Sequence, residues 1–463
     1  MSSPFAVASP AHLVQLALAI LAGASACLLP ASALAANAQG SRVRAEAKEV
    51  HQVFVSPDAA PGGDGSAERP LASLEEARDQ LRASGALPWE GHGPRPGLQL
   101  LPGTWELERG LVLDGRDRGL LLASEQVGAA RLIGGRRLDA QGARALDPED
   151  DATWLGRLPT DEARAAVRVL ELPDDLALFG PVQRGMGSAV VPVLSEVFVN
   201  GQALTPARWP NDGFARLGEV LDTGSVPRKR GDDIPEAERE TGPDRGGVFR
   251  PMDVSAERLA RWATATEPWA MGYWFHDWAD EQLPIAKVDA ATGTLELGAP
   301  HRYGLKAGTS FYVTNLIEEL DRAGEYYLDV ASRQLFLWLP EDGLAPASAS
   351  TGEADQTGAV DEADQPELII SSLGEPLLSI EASSGIEVSG LHLGATRGAG
   401  LVATDCQDVR VESCVLQNTG TDGIRLRGTG NGVYRCDLVD IGATGVNLNG
   451  GDRASLTPAN NVL

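Results

Sequence analysis

An all-β fold, a right-handed parallel β-helix, is what this sequence predicts, and three observations carry the prediction. The first is a repeat in residues 385–450. Leu391, Leu393 and Leu401 fall on Cys414, Leu416 and Ile424 after a shift of 23, and those fall on Cys436, Leu438 and Val446 after a further 22. The second is a register of small residues, with Gly400, Gly423 and Gly445 in one series and Gly420 and Gly442 in another. The third is texture: short runs of Val, Ile, Leu and Thr alternate with period two between Gly, Asn, Asp and Thr turns, as stacked solenoid coils require. A leucine-rich repeat shares the period, but it needs a leucine ladder and a helical return segment, and neither is present.

In this register Arg425 lies beside Asn447 and Arg427 beside Asn449, about 5 Å apart, on the outward positions that alternate with the apolar ones. Such a polar ladder is either the binding face of a solenoid that holds a long ligand or a solvated surface. Cys414 and Cys436 share a register and are expected to stack inward as small apolar residues. Residues 1–35 resemble a secretory signal, with an apolar run over 13–29 and Ala33-Leu34-Ala35 as a cleavage site, so three cysteines remain after cleavage near Ala36. Three thiols without a paired framework argue against a disulfide scaffold. The expected location is secreted or periplasmic, without stable membrane insertion; Ala24-Ser25-Ala26 before Cys27 is a poor lipoprotein site.

From residue 50 the chain is expected to open the solenoid, with the N-terminal cap and first coils over 50–195. Val53-Phe54-Val55 makes a strand. Ser73-Leu74-Glu75-Glu76 is a capping box that starts a helix reaching about Ala83, with Leu71, Leu74 and Leu81 on one side. That helix suits the open end of a solenoid, where strand edges and apolar interior would otherwise meet water. Residues 196–340 break the coil pattern and predict a β-rich insertion. Within it Trp262, Trp269, Trp274 and Trp278 crowd together, as either a sugar-stacking platform or an aromatic core. Residues 341–366 predict an acidic disordered loop. Residues 367–463 return to coils, and Asn460-Asn461-Val462-Leu463 resembles the start of one more, so the array is expected to be incomplete and inactive as written.

With 463 residues, 43% of them hydrophobic and 53 of them glycine, the chain can bury a large core. A formal charge of −26 excludes a nucleic-acid partner, which needs a basic face.

Several segments resemble a known group. Phe54-Val55-Ser56-Pro57, Arg69-Pro70-Leu71-Ala72-Ser73-Leu74 and Pro102-Gly103-Thr104-Trp105 are similar to the opening of secreted bacterial β-helix proteins of the pectate-lyase-like group. Val197-Phe198-Val199-Asn200-Gly201, Ala207-Arg208-Trp209-Pro210-Asn211, Gly272-Tyr273-Trp274, Asp277-Trp278-Ala279-Asp280, Glu318-Glu319-Leu320-Asp321, Gly324-Glu325-Tyr326-Tyr327-Leu328-Asp329 and Gly450-Gly451-Asp452-Arg453 resemble glycoside hydrolase family 141. The resemblance spans residues 50–463 and implies a polysaccharide substrate from plants or algae, attacked by acidic residues on the β-helix.

Glycoside hydrolysis needs two carboxyl groups about 5 to 10 Å apart, one giving a proton and one attacking the sugar or activating water. The coils supply Asp405, Asp408, Glu412, Asp422, Asp437, Asp440 and Asp452. Asp452 ranks first for catalysis because it follows the strand bearing Asn447 and Asn449 and belongs to the Gly-Gly-Asp-Arg run; Asp422 ranks second. Arg453, Arg425, Arg427, Asn447 and Asn449 are the expected substrate-binding residues. Asp beside Gly is otherwise a turn residue, and Asp440, stacked on Asn418, is expected to be one. The insertion adds His276, Asp277, Asp280, Glu281 and His301-Arg302-Tyr303. No metal or cofactor motif is present: there is no HExxH, Walker loop or EF-hand loop. A polysaccharide lyase and a non-catalytic glycan-binding module are the alternative functions.

Overall fold

The computed structural model describes residues 51–231, 233–340 and 366–463. The expected signal segment and all but the last residue of the expected acidic loop lie outside the described residues.

Three parallel sheets are built by a chain that visits them in rotation. The first holds Gln52–Val55, Gly97–Leu100, Leu121–Ala123, Glu387–Ser389, Arg410–Glu412 and Gly432–Tyr434. The second holds Gly103–Glu106, Ala130–Ile133, Leu391–Thr396, Val415–Thr419 and Asp437–Ile441, and the third Leu111–Leu113, Leu378–Glu381, Leu401–Gln407, Ile424–Thr429 and Val446–Asn449. Pairing follows the repeat. Leu393 pairs with Leu416 and Leu416 with Leu438; Leu401 pairs with Ile424 and Ile424 with Val446. Leu393, Leu401, Leu416 and Ile424 are fully buried, and each such side chain stabilises the coils by about 1.5 to 3 kcal/mol.

The glycine register has a steric cause. A Cβ on Gly420 would lie 2.4 Å from the Arg397 carbonyl oxygen and 2.4 Å from Val193, while one on Gly442 would lie 2.4 Å from the Gly420 oxygen. Any larger residue would push the turns apart. Asp440 adopts a left-handed backbone (φ 53°) in register with Asn418 (φ 58°), the turn ladder expected of it. Cys406, Cys414 and Cys436 are free thiols, and all three contribute to the apolar interior.

At the first end, Leu74–Ser84 is the cap helix. Ser73 Oγ accepts the Glu76 N–H at 3.2 Å, and Gly85 closes the helix with φ 80°. Its buried Leu74, Ala77 and Leu81 join the coil interior beside Val53, Val55, Leu98 and Leu100. At the other end an asparagine ladder sets the register. The Asn431 side chain accepts Val409 N–H and donates to the Cys406 oxygen, and Asn461 repeats this on Asn431 N–H and the Gly428 oxygen. Val462 then bridges Gly432 in parallel, so residues 460–463 take up the position of a further first-sheet strand.

One coil is broken between Ala130–Ile133 and Leu378–Glu381, and the insertion fills the gap. It starts earlier than residue 196. Gly135–Leu138 pairs antiparallel with Leu368–Ser371, and Arg168–Glu171 pairs antiparallel with Gln334–Trp338, so residues 134–195 belong to the insertion and not to the first coils. The cause is the apolar run Leu368-Ile369-Ile370, which pairs with strands from the start of the excursion and closes its base.

Inside the insertion, six antiparallel strands close on themselves. Glu281–Asp289 pairs with Trp269–Gly272, which pairs with Ser310–Thr314, then Ala215–Asp222, Val248–Pro251, Thr294–Leu297 and back to Glu281–Asp289. Closure removes open edges. Phe249, Phe311 and Trp274 fill the interior with edge-on and stacked ring contacts at 5.3 to 6.2 Å. Trp262 (1% exposed), Trp269 (8%) and Trp274 (0%) are therefore core, whereas Trp278 is 52% exposed.

Candidate active site

The expected polar ladder exists. Arg425 pairs in register with Asn447 and Arg427 with Asn449, all on the third sheet, and Asn447, Asn449 and Arg427 are exposed. Its carboxylates do not converge. Asp422 precedes the strand Ile424–Thr429 and is 2% exposed; its Oδ2 accepts Arg425 Nε at 2.7 Å, and its Oδ1 accepts Thr444 N–H at 3.3 Å. Asp452 lies past the far end of Val446–Asn449, and a four-residue strand alone spans about 13 Å, beyond the separation that two cooperating carboxyl groups tolerate.

Asp452 is also occupied. It is exposed, Oδ2 accepts the Ser455 hydroxyl at 2.6 Å and Oδ1 accepts Ala454 N–H at 2.9 Å, and the backbone bridges Thr457. The Ser455 hydroxyl, then the Ala454 N–H, hold its carboxyl below the usual range. That is the behaviour of a turn aspartate. Arg453 is exposed in the same turn, and Arg427 faces Asp405 at 3.8 Å. Glu412, on the first sheet, is held by Arg410 and Arg435.

A different constellation forms where the insertion meets the coils. A cleft of about 310 Å³ has Arg184, Met271 and Asp280 on the insertion side and Gly420, Thr421 and Gly442 on the coil side. The wall is built by register. Arg184 pairs with Gln282, Gln282 with Met271 and Met271 with Tyr312, so these four stand in one row across the antiparallel sheet. The Arg208 guanidinium lies 3.7 Å over the Tyr312 ring, and Phe214 packs on Tyr312 and Tyr273. Burial raises the Tyr312 hydroxyl; the charges of Arg208, Arg184 and Asp280 all act on it, which places those groups in one neighbourhood.

Glu196, which is not part of the cleft lining, directly precedes the strand Val197–Val199. Backbone pairing fixes it: Glu196 N–H donates to Ser371 Oγ at 2.8 Å and Ser371 N–H to the Glu196 oxygen at 2.9 Å. The side chain is half-buried, and burial pushes its carboxyl up to about 7 against the opposing pull of Arg184 and Arg397. Among the described residues nothing donates a hydrogen bond to it. Arg397 comes from the coil turn stacked on Gly420. Its Nε donates to the Val193 oxygen at 2.6 Å and its guanidinium lies 3.4 Å over Phe179, an anchor between insertion and coils. Glu196 thus combines partial burial, a carboxyl that burial pushes up to about 7 and cationic neighbours.

Two other glutamates are also pushed up to about 7 by burial, but both are fully buried and bonded. Glu319 accepts Trp262 Nε1 at 2.6 Å and faces Arg258 at 3.1 Å; Glu325 accepts Asp321 N–H at 3.1 Å. Neither lines the cleft. Glu281, next to Asp280, lines a separate hollow of about 680 Å³, where Gln183 donates to it at 2.9 Å and His301 faces it at 3.8 Å. Burial raises the Glu281 carboxyl and lowers the His301 imidazole. Asp277 and His276 line a third hollow of about 570 Å³. Among the described residues no group of three or more His, Cys, Asp or Glu is placed to hold a metal, and no helix is long and apolar enough to cross a membrane.

Sequence reasoning named Asp280 only as one of several insertion candidates and passed over Glu196. Its one signal was a charged residue opening the apolar strand Val197-Phe198-Val199, where a carboxyl group is bound to be desolvated.

No protein-family model and no curated protein sequence matches this chain. Among solved structures, a chain described as "Glycoside hydrolase" is similar with a TM-score of 0.57 at 17% identity, over 84% of this chain and 67% of that one. "The complex structure of XylC with xylose" aligns over 86% of this chain and 65% of that chain at 11% identity, with a TM-score of 0.23, and the catalytic domain of a GH87 alpha-1,3-glucanase in complex with nigerose over 68% and 62% at 11%, with a TM-score of 0.16. The chain spans about two thirds of the length of these structures, and the first of them shows that it has a glycoside hydrolase-like fold.

Proposed function

We propose that this chain is a secreted glycoside hydrolase on a right-handed parallel β-helix, related to glycoside hydrolase family 141, and that it cleaves a plant or algal polysaccharide in the cleft between coils and insertion. The hand follows from the general rule that connections between parallel strands of one sheet are right-handed. Export rests on the apolar run and the Ala33-Leu34-Ala35 site.

One observation supports the activity: Arg184 lines the same cleft as Asp280 and also acts electrostatically on Glu196, a half-buried glutamate whose carboxyl burial pushes up to about 7. Glu196 in this reading is the general acid. It gives its proton to the glycosidic oxygen as the bond to the anomeric carbon breaks, and Arg184 and Arg397 stabilise the carboxylate that results. Asp280 attacks the anomeric carbon or takes the proton of an attacking water. Tyr312 and Arg208 flank the sugar. Both carboxylates lie within the chain, so this reading expects turnover from residues 36–463, in place of the inactivity that the missing partner for Asp452 would impose.

The test is product analysis after incubation with xylan, fucoidan, alginate and polygalacturonate. Hydrolysis releases new reducing ends without ultraviolet absorbance. Unsaturated products would identify a lyase, and binding with no product a non-catalytic module; either outcome rejects the proposal.

A further inference from the structure

We infer that Trp278 is a sugar-binding subsite next to the cleft, taking one pyranose residue of a polysaccharide chain on its open face. The inference rests on the carbohydrate reading above. Of the four tryptophans crowded into residues 262–278, three are buried and Trp278 is 52% exposed. It is nonetheless held. The His276 imidazole stacks on its ring at 4.8 Å with 12° between the planes, and Tyr303 meets both rings edge-on, at 5.5 Å from Trp278 and 4.9 Å from His276. The turn that presents it is anchored by Ala279, 1% exposed, whose N–H donates to the His276 oxygen at 3.2 Å.

An indole with one face covered and more than half its surface exposed turns its other face to solvent. Because its neighbours already fix the ring, a ligand that stacks on it pays no ordering cost in the protein. Location selects the ligand. The segment from Tyr273 to Asp280 runs between two hollows, one lined by Tyr273, His276 and Asp277 and the other by Asp280. Two residues span at most about 7 Å, so a single polymer can touch both Trp278 and Asp280. The apolar C–H face of a pyranose ring matches an indole face, and a chain crossing from one hollow to the other would present one.

Affinity electrophoresis in gels containing xylan, fucoidan, alginate or polygalacturonate tests this, in an Asp280→Asn background so that nothing is digested. Expected is retardation by at least one polymer, weakened on the order of tenfold by Trp278→Ala and retained by Trp278→Phe. Equal retardation of the alanine variant, or no retardation in any gel, overturns the subsite. If the wild-type chain makes no product while retardation still depends on the ring at 278, the hydrolase reading fails and the subsite stands.

Discussion

The coils and the insertion bury comparable apolar interiors by opposite means. In the coils every strand pairs in parallel with its counterpart one turn on, so each inward position repeats: Leu393, Leu416 and Leu438 form one column, and Leu401, Ile424 and Val446 another. In the insertion six antiparallel strands close into a ring whose interior mixes Phe249, Trp274 and Phe311 with Leu, Ile and Val side chains, with no residue repeating another. A column can lose or gain a turn and remain a column. A closed ring fixes every strand, and so it can hold side chains such as Arg184 and Asp280 in a set relation to a neighbouring surface. The cleft is found where the two meet, and the glycines of the coil turns keep it open by letting the insertion approach.

The sharpest way to break this comparison is to excavate the ring. Trp274→Ala removes a fully buried side chain whose Nε1 donates to the Glu281 oxygen at 2.7 Å, and is expected to cost about 4 kcal/mol. Because the insertion has its own core, hydrogen exchange should quicken over residues 205–315 and hardly change over 385–450. Uniform loss of protection across both would show that the two regions fold as one unit.

A smaller effect concerns pH. Burial raises Glu325 to about 7, against an ordinary value near 4.5. Below that ordinary value both folded and unfolded chains hold the proton; as pH climbs from 4.5 to 7 the unfolded chain releases it first, so the folded state loses stability through that window. Replacing the group by Glu325→Gln should recover up to about 3 kcal/mol between pH 5 and pH 8. A melting temperature whose pH dependence is the same in the variant would contradict the raised value.

Legibility of the sequence divides along the same boundary. The coil register, the cap helix with Ser73 as its N-cap and the turn role of Asp440 were readable because each depends on residues a fixed number of positions apart. Glu196 and Asp280 were not, since their surroundings are set by strands that pair Arg184 with Gln282 and Glu196 with Ser371, partners 98 and 175 positions away. Adjacency in the chain says less than a fixed spacing does. Asp452 followed by Arg453 is the site that adjacency suggests, and its carboxylate accepts hydrogen bonds from Ser455 and Ala454. Trp262, Trp269, Trp274 and Trp278 looked like one cluster, and closure of the ring buries three of them and leaves the fourth outside.

The central claim is that chemistry sits in the cleft and not on the polar ladder, and the rate of reducing-end release as a function of pH tests it most directly. Wild-type activity should fall as pH rises through about 7, where Glu196 loses its proton. Glu196→Gln and Asp280→Asn should each lower the rate on the order of a hundredfold or more, while Asp452→Asn leaves it nearly unchanged. Loss of activity in Asp452→Asn, with Glu196→Gln and Asp280→Asn fully active, would contradict the account.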